Sequence, residues 1–228
     1  MLDHLICDCD GVLVDSEIIA DHVLLDTLST LFPGHDFAPA VKTAFGQQTS
    51  SFLKKLEASF NLTLPADFLD TIERRVAEAL ATSLSPIHGV REALLQIPLP
   101  AAVVSNSEMA RVLTSVQRAG LSEIFAGRIF SAAQVARPKP HPDVYLFAAQ
   151  QLGVAAARCL VVEDSLSGLS AARAAGMQTI AFVGASHIPE GYTEVLRKLG
   201  ITRIIDRMDT LPALVAAGMR GEFGGVQS

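Results

Sequence analysis

From about residue 88 onward, short apolar runs alternate with longer stretches of helical spacing. "AAVVSNS", "AGRIFSA", "RCLVVEDS", "MQTIAFVG" and "TRIID" read as strands. "EMARVLTSVQRAG", "PDVYLFAAQQLG", "LSGLSAARAAG" and "MDTLPALVAAG" read as helices. The runs "AAVV" and "LVV" are apolar on consecutive residues, as in strands covered on both faces, so the alternation predicts β-α units on a parallel sheet. Residues 16 to 85 differ. They keep helical spacing throughout, with Phe68, Ile72, Val76 and Leu80 at a four-residue step, and Pro33, Pro39, Pro65 and Pro86 cut the block into helices. The pattern predicts an α/β fold with a doubly wound parallel sheet over residues 1–15 and 86–228, and an all-α helical cap inserted over 16–85. An insertion directly after the first strand overhangs the carboxyl edge of the sheet, where open α/β folds bind ligands.

Composition narrows the function classes. The chain has 228 residues, half of them hydrophobic, enough for one main domain plus an insertion. A net charge of −6 with 18 scattered Lys and Arg provides no basic surface, so no nucleic-acid partner is expected. No apolar run approaches the roughly 18 residues of a membrane span, and Asp3 and His4 stand where a secretory leader carries cations. A cytoplasmic protein without a membrane partner is the expectation. Cys7, Cys9 and Cys159 lack zinc-type grouping and read as buried free thiols.

The first strand ends in an unusual way. "HLICDCDGVLVDSE" runs an apolar segment into Asp8 and Asp10, which in extended chain point to the same side about 6 to 7 Å apart. A calcium loop is excluded, because it needs a third acidic ligand before the glycine and a Glu near the twelfth place, and Cys9, Gly11 and Ile19 occupy the relevant positions. "LVVEDSLSGLSAARAAGM" repeats the design, with a strand ending in Glu163 and Asp164 before a helix. Either pair alone is also compatible with solvated acids in a turn. Two strands ending in carboxylates predict an oxygen-rich site for a hard cation, and Mg²⁺ fits better than zinc. "VVSNS" places Ser105 and Asn106 at a helix N-terminus, a ready anion site, although Ser105 could equally be a simple cap. "RPKPHPD" mounts Lys139 between prolines. Asp8, Glu163, Asp164 and a phosphate dianion sum to about −5 against +3 from Mg²⁺ and Lys139, so phosphate binding requires the metal.

In this order, "DCDGVLVDSE", "VVSNS", "RPKPHPD" and "VVEDSLSGLSAARAAGM" resemble the haloacid dehalogenase superfamily, in particular its β-phosphoglucomutase-like phosphatase branch, with a Rossmann-like core. The resemblance implies a Mg²⁺-dependent phosphomonoester hydrolase acting through an aspartyl phosphate. It implies Asp8 as nucleophile, Asp10 as general acid/base, and Ser105 and Lys139 as phosphate ligands, with Asn106 expected beside them in substrate binding. The implied metal set is Asp8, Asp10 through its backbone carbonyl, Asp164, and Glu163 beside it. Asp8 needs no activating base, since a carboxylate with a pKa of about 4 is ionised at neutral pH. Asp10 must hold a proton to serve a leaving alkoxide, which calls for a raised pKa.

Mutases of this branch carry a cap motif of the type K-G-V-S-R and a His on the first cap helix. Here "AFGQQTS" has Thr49 where the Arg falls, and "SEIIADH" has Ala20 where the His falls. Mutase activity is therefore the alternative, and a phospho-accepting regulatory module, which lacks a cap, the alternative of another class. Dehalogenases proper lack the second Asp, and the Schiff-base Lys of a phosphonate-cleaving relative has no clear match among Lys42, Lys54 and Lys55. Gln47, Gln48 and Thr49 predict a polar leaving group, a sugar or sugar-acid phosphate. The oligomeric state is not readable from the pattern, which is compatible with a monomer.

Overall fold

The computed structural model describes residues 1–44 and 49–223. Strand β1 (His4–Cys7) is followed by helices α1 (Glu17–Leu31), α2 (Ala38–Val41), α3 (Thr49–Phe60) and α4 (Phe68–Ser83). Then come α5 (Val90–Leu95), β2 (Ala101–Ser105), α6 (Met109–Arg118), α7 (Ser122–Phe125), β3 (Ile129–Ser131) and α8 (Asp143–Leu152). The chain continues through β4 (Cys159–Glu163), α9 (Leu166–Ala174), β5 (Gln178–Phe182), α10 (Tyr192–Lys198), β6 (Ile204–Ile205) and α11 (Leu211–Met219). All strand pairings are parallel and the order is β3-β2-β1-β4-β5-β6. The predicted strands all form. The short helices α5, α7 and α10 carry too few turns to show a period and were not expected.

The strand order positions the site. The chain leaves β1 on one side toward β2 and β3 and crosses to the other for β4, so the crevice at the carboxyl edge opens between β1 and β4. Cys7 pairs in register with Val103 of β2 and Val162 of β4, which sets the next residue, Asp8, beside the ends of both neighbours. Both faces of the sheet are covered. Leu5, Cys7, Val103, Leu160 and Val162 join the core layer on one side. Ile6, Ala102, Val104, Cys159 and Val161 join Val144 and Tyr145 of α8 and Ala171 and Ala172 of α9 on the other. That alternation of faces along consecutive apolar residues is why the strands read as unbroken hydrophobic runs.

Over the carboxyl edge, α1 packs against α4, whose four-residue stripe of Phe68, Ile72, Val76 and Leu80 is buried. Each such side chain contributes about 1.5–3 kcal/mol when fully buried. Arg75 ties the two helices further, donating to Asp26 at 2.8 Å and to Thr27 at 2.6 Å. The two chain crossings between these helices and the sheet lie side by side. The Asp15 N–H donates to the Ser85 carbonyl at 3.0 Å, the Ile87 N–H donates to that of Leu13 at 2.9 Å, and Val14 bridges Pro86 antiparallel. Among the described residues, no helix is long and apolar enough to cross a membrane.

Candidate active site

Lys139 is the centre of a buried ionic cluster. Its ammonium donates to Asp8 Oδ1 at 2.6 Å, to Glu163 Oε1 at 2.8 Å and to the Val104 carbonyl at 2.9 Å, and its side chain is only 3% exposed. Its backbone is fixed as firmly. The Lys139 N–H donates to Asn106 Oδ1 at 2.9 Å, and Asn106 Nδ2 donates to the Lys139 carbonyl at 3.2 Å. The Asn106 amide thus reaches the phosphate segment indirectly, by holding Lys139. Glu163 has both oxygens engaged. Tyr145 donates its hydroxyl to Oε1 at 3.2 Å, and Ser165 donates its N–H and hydroxyl to Oε2, each at 3.0 Å.

Asp164, next on the chain, pairs with His187 at 3.0 Å from Oδ2 to Nε2. Gly11 lies against this pair at φ +82°, and a Cβ there would come within 2.1 Å of Asp164 Oδ2. The turn after Asp10 therefore requires glycine both for its left-handed backbone and for the space.

One oxygen each from Asp8, Glu163 and Asp164 lies within 4.8 Å of the others. Burial pushes the Asp8 carboxyl well up; Lys139 pulls it down but is outweighed by burial together with Glu163, Asp164 and Asp10. Burial, then Glu163 and Glu17, do the same to Asp164. Lys139 is held charged by Asp8 and Glu163 against its own burial. A single ammonium leaves this cluster with surplus negative charge on hard oxygen donors, so the residues fit a divalent cation such as Mg²⁺.

Asp10 faces a different set of partners. Its Oδ1 accepts from Ser16 Oγ at 2.6 Å and from Arg111 Nη2 at 3.0 Å, and its Oδ2 accepts from Ser107 Oγ at 2.8 Å, with Ser105 Oγ at 3.5 Å. The expectation of a raised pKa is corrected here. Burial does raise it, but Arg111 and the hydroxyls of Ser16 and Ser107 outweigh burial and hold Asp10 below the usual carboxylate range. The shift is set by Arg111, an arginine that no motif singled out.

The strand ends thus bring together Asp8, Asp10, Ser105, Lys139, Glu163 and Asp164, with Asn106 behind Lys139. Thr49 is the exposed first residue of α3, and Gln47 and Gln48 lie outside the described residues. Ser16 and Ser107 also touch the site and lie inside "DCDGVLVDSE" and "VVSNS" without standing out in them, while Arg111, Tyr145 and His187 touch it from outside every motif. Arg111 is the third residue of α6, the helix that follows "VVSNS", and nothing in that spacing marks it as a partner of Asp10.

Residues 2–176 match the model of the haloacid dehalogenase-like hydrolases, and the chain belongs to that family. Hexitol phosphatase A of Escherichia coli (strain K12) is 33% identical over 181 residues, covering 76% of this chain and 80% of the relative. The 6-phosphogluconate phosphatase of the same strain is 27% identical over 181 residues, covering 79% and 82%. A haloacid dehalogenase family hydrolase from Deinococcus radiodurans R1, solved with bound phosphate and sodium, is 35% identical with a TM-score of 0.82, covering 96% of this chain and 97% of that one. Within the family, the chain is a phosphoric monoester hydrolase.

Proposed function

We propose that the chain is a Mg²⁺-dependent phosphatase that cleaves a small sugar, sugar-alcohol or sugar-acid phosphate in the cytoplasm through an aspartyl phosphate on Asp8. The observation that carries this reading is the 2.6 Å contact between Asp8 and an ammonium that Glu163 holds from the other side. A buried carboxylate against a fixed cation is a nucleophile aimed at a phosphate.

Asp8 attacks phosphorus, an Asp–O–P bond forms, and the bond to the leaving oxygen breaks. Lys139, Ser105 and the backbone N–H groups after β2 hold the transferring oxygens, and charge developing on them is met by donors already in place. On turning away from Arg111 toward the anionic phosphoryl group, Asp10 takes up a proton from solvent and then gives it to the leaving alkoxide. It then takes one from the water that hydrolyses the aspartyl phosphate, leaving an alcohol and orthophosphate. Asp8 and Asp164, with the Asp10 carbonyl, would hold Mg²⁺, while Glu163 is chiefly the anchor of Lys139. Bound Mg²⁺ supplies charge neutralisation that lets a dianionic ester approach three carboxylates. The hexitol and 6-phosphogluconate specificities of the two Escherichia coli relatives support a polyhydroxylated leaving group.

Orthophosphate release from p-nitrophenyl phosphate, a hexitol 6-phosphate and 6-phosphogluconate, with Mg²⁺ and with chelator, tests the reading. Release that stops with chelator and with Asp8→Asn is expected. Full activity in chelator removes the metal from the mechanism, and no release from any ester removes the phosphatase.

A further inference from the structure

All three N–H donors of the Lys139 ammonium are spent before any substrate arrives, on Asp8, Glu163 and the Val104 carbonyl. A phosphoryl oxygen can take a donor only from a partner that gives one up. Asp8 is that partner, because forming the Asp–O–P bond removes its charge and weakens it as an acceptor. At that moment the ammonium, on a flexible four-carbon stem, keeps only Glu163 and one carbonyl. Something must prevent it from swinging with the departing bond.

Tyr145 is built into that position. It is fully buried near the start of α8, six residues after Lys139. Its ring lies 4.9 Å from the Lys139 nitrogen, within reach of a cation–π contact, and its hydroxyl donates to the same Glu163 oxygen that Lys139 uses. The two donors share Oε1, while the Ser165 pair pins Oε2, so the Glu163 carboxylate cannot rotate. A phenylalanine would fill the same volume in this apolar layer. The hydroxyl is what packing does not explain.

We propose, resting on the phosphatase reading, that Tyr145 is a positioning residue that acts through Glu163 to hold the Lys139 ammonium in place while its hydrogen bond passes from Asp8 to the transferring phosphoryl.

Tyr145→Phe, Glu163→Gln and the double variant test this with p-nitrophenyl phosphate turnover, thermal unfolding and inhibition by orthovanadate. Tyr145→Phe is expected to lower kcat by about 5- to 50-fold and to weaken orthovanadate by a similar factor, since one hydrogen bond to a buried charged group is lost. KM should hardly move, and the unfolding temperature should fall by no more than the several degrees that one buried hydrogen bond is worth. In the Glu163→Gln background, Tyr145→Phe should cost less than about twofold more, because the two residues act through one contact. A Tyr145→Phe enzyme with wild-type kcat, or fully additive losses in the double variant, overturns the proposal while leaving the phosphatase standing. A wild-type chain that releases no phosphate overturns both.

Discussion

His187 sits on Asp164 at 3.0 Å, and the residue before it, Ser186, donates its N–H to Asp15 at 3.3 Å and its hydroxyl to the other oxygen of the same carboxylate. One short segment after β5 therefore touches a carboxylate of the buried acidic cluster and the chain crossing where the cap helices begin. A histidine that orients a metal-binding carboxylate tunes affinity without touching the metal, and removing such a partner typically costs about 10–100-fold in affinity. His187→Ala is expected to raise the Mg²⁺ concentration for half-maximal activity by at least about tenfold, with turnover recovering at saturating Mg²⁺. An unchanged Mg²⁺ titration would separate His187 from the metal site.

Gly168 offers a test of the Glu163 anchor from behind. It lies within α9, where alanine is ordinarily better than glycine by about 0.8–1.0 kcal/mol. A Cβ there would stand 1.6 Å from Glu163 Oε1, the oxygen shared by Lys139 and Tyr145. Clash should win over propensity, because the carboxylate is held by four hydrogen bonds and has nowhere to go. Gly168→Ala is expected to lower stability by about 1–3 kcal/mol in urea unfolding and to reduce kcat together with it. A stabilised and fully active variant would mean that Glu163 is free to move.

Tyr145, His187 and Arg111 mark the limit of what the sequence reveals. Asp8, Asp10, Ser105, Glu163 and Asp164 lie at or just beyond the ends of three adjacent strands, where a polar residue after an apolar run is visible by contrast. Tyr145 is invisible for the opposite reason, as one more large residue in a buried helix face. His187 reaches the site from a loop whose path no periodicity encodes, and Arg111 reaches Asp10 across 101 residues of chain. The helical stripe of α4 was legible because one face of it is buried, whereas the seven residues of α10 span too few turns to show a period.

Burial also settles the thiols. It pushes Cys7 up to about 12 and Cys159 up to about 11, and Cys9 well above its ordinary value. At pH 8, Cys7 and Cys159 then hold about one thiolate in a thousand or fewer, burial keeps Cys9 as the thiol as well, and the thiolate is the reactive form. The native protein is expected to be silent toward a disulfide-exchange reagent such as Ellman's, and to expose all three cysteines once unfolded. A thiol that reacts within minutes in the folded protein would contradict this burial.

The choice between phosphatase and mutase turns on the cap. A mutase must grip the distal phosphate of a bisphosphorylated intermediate while it reorients, which calls for a cation on the cap side of the site. Ala20, where the mutase pattern has a histidine, packs its methyl against the hydrophobic core of α1 and its neighbours. Thr49, where that pattern has an arginine, is an exposed hydroxyl at the start of α3. Neither side chain can carry a positive charge. An intermediate held only at one end is free to leave, and water then takes the aspartyl phosphate. Incubation with a β-hexose 1-phosphate and a bisphosphate primer is therefore expected to yield orthophosphate and free sugar, without hexose 6-phosphate. Thr49→Ala should alter the ratio of kcat/KM between a hexitol phosphate and p-nitrophenyl phosphate by several-fold, about 1 kcal/mol, as expected for one hydrogen bond to a substrate hydroxyl. Formation of the 6-phosphate faster than orthophosphate would make the enzyme a mutase and would require a distal-phosphate cation elsewhere on the cap.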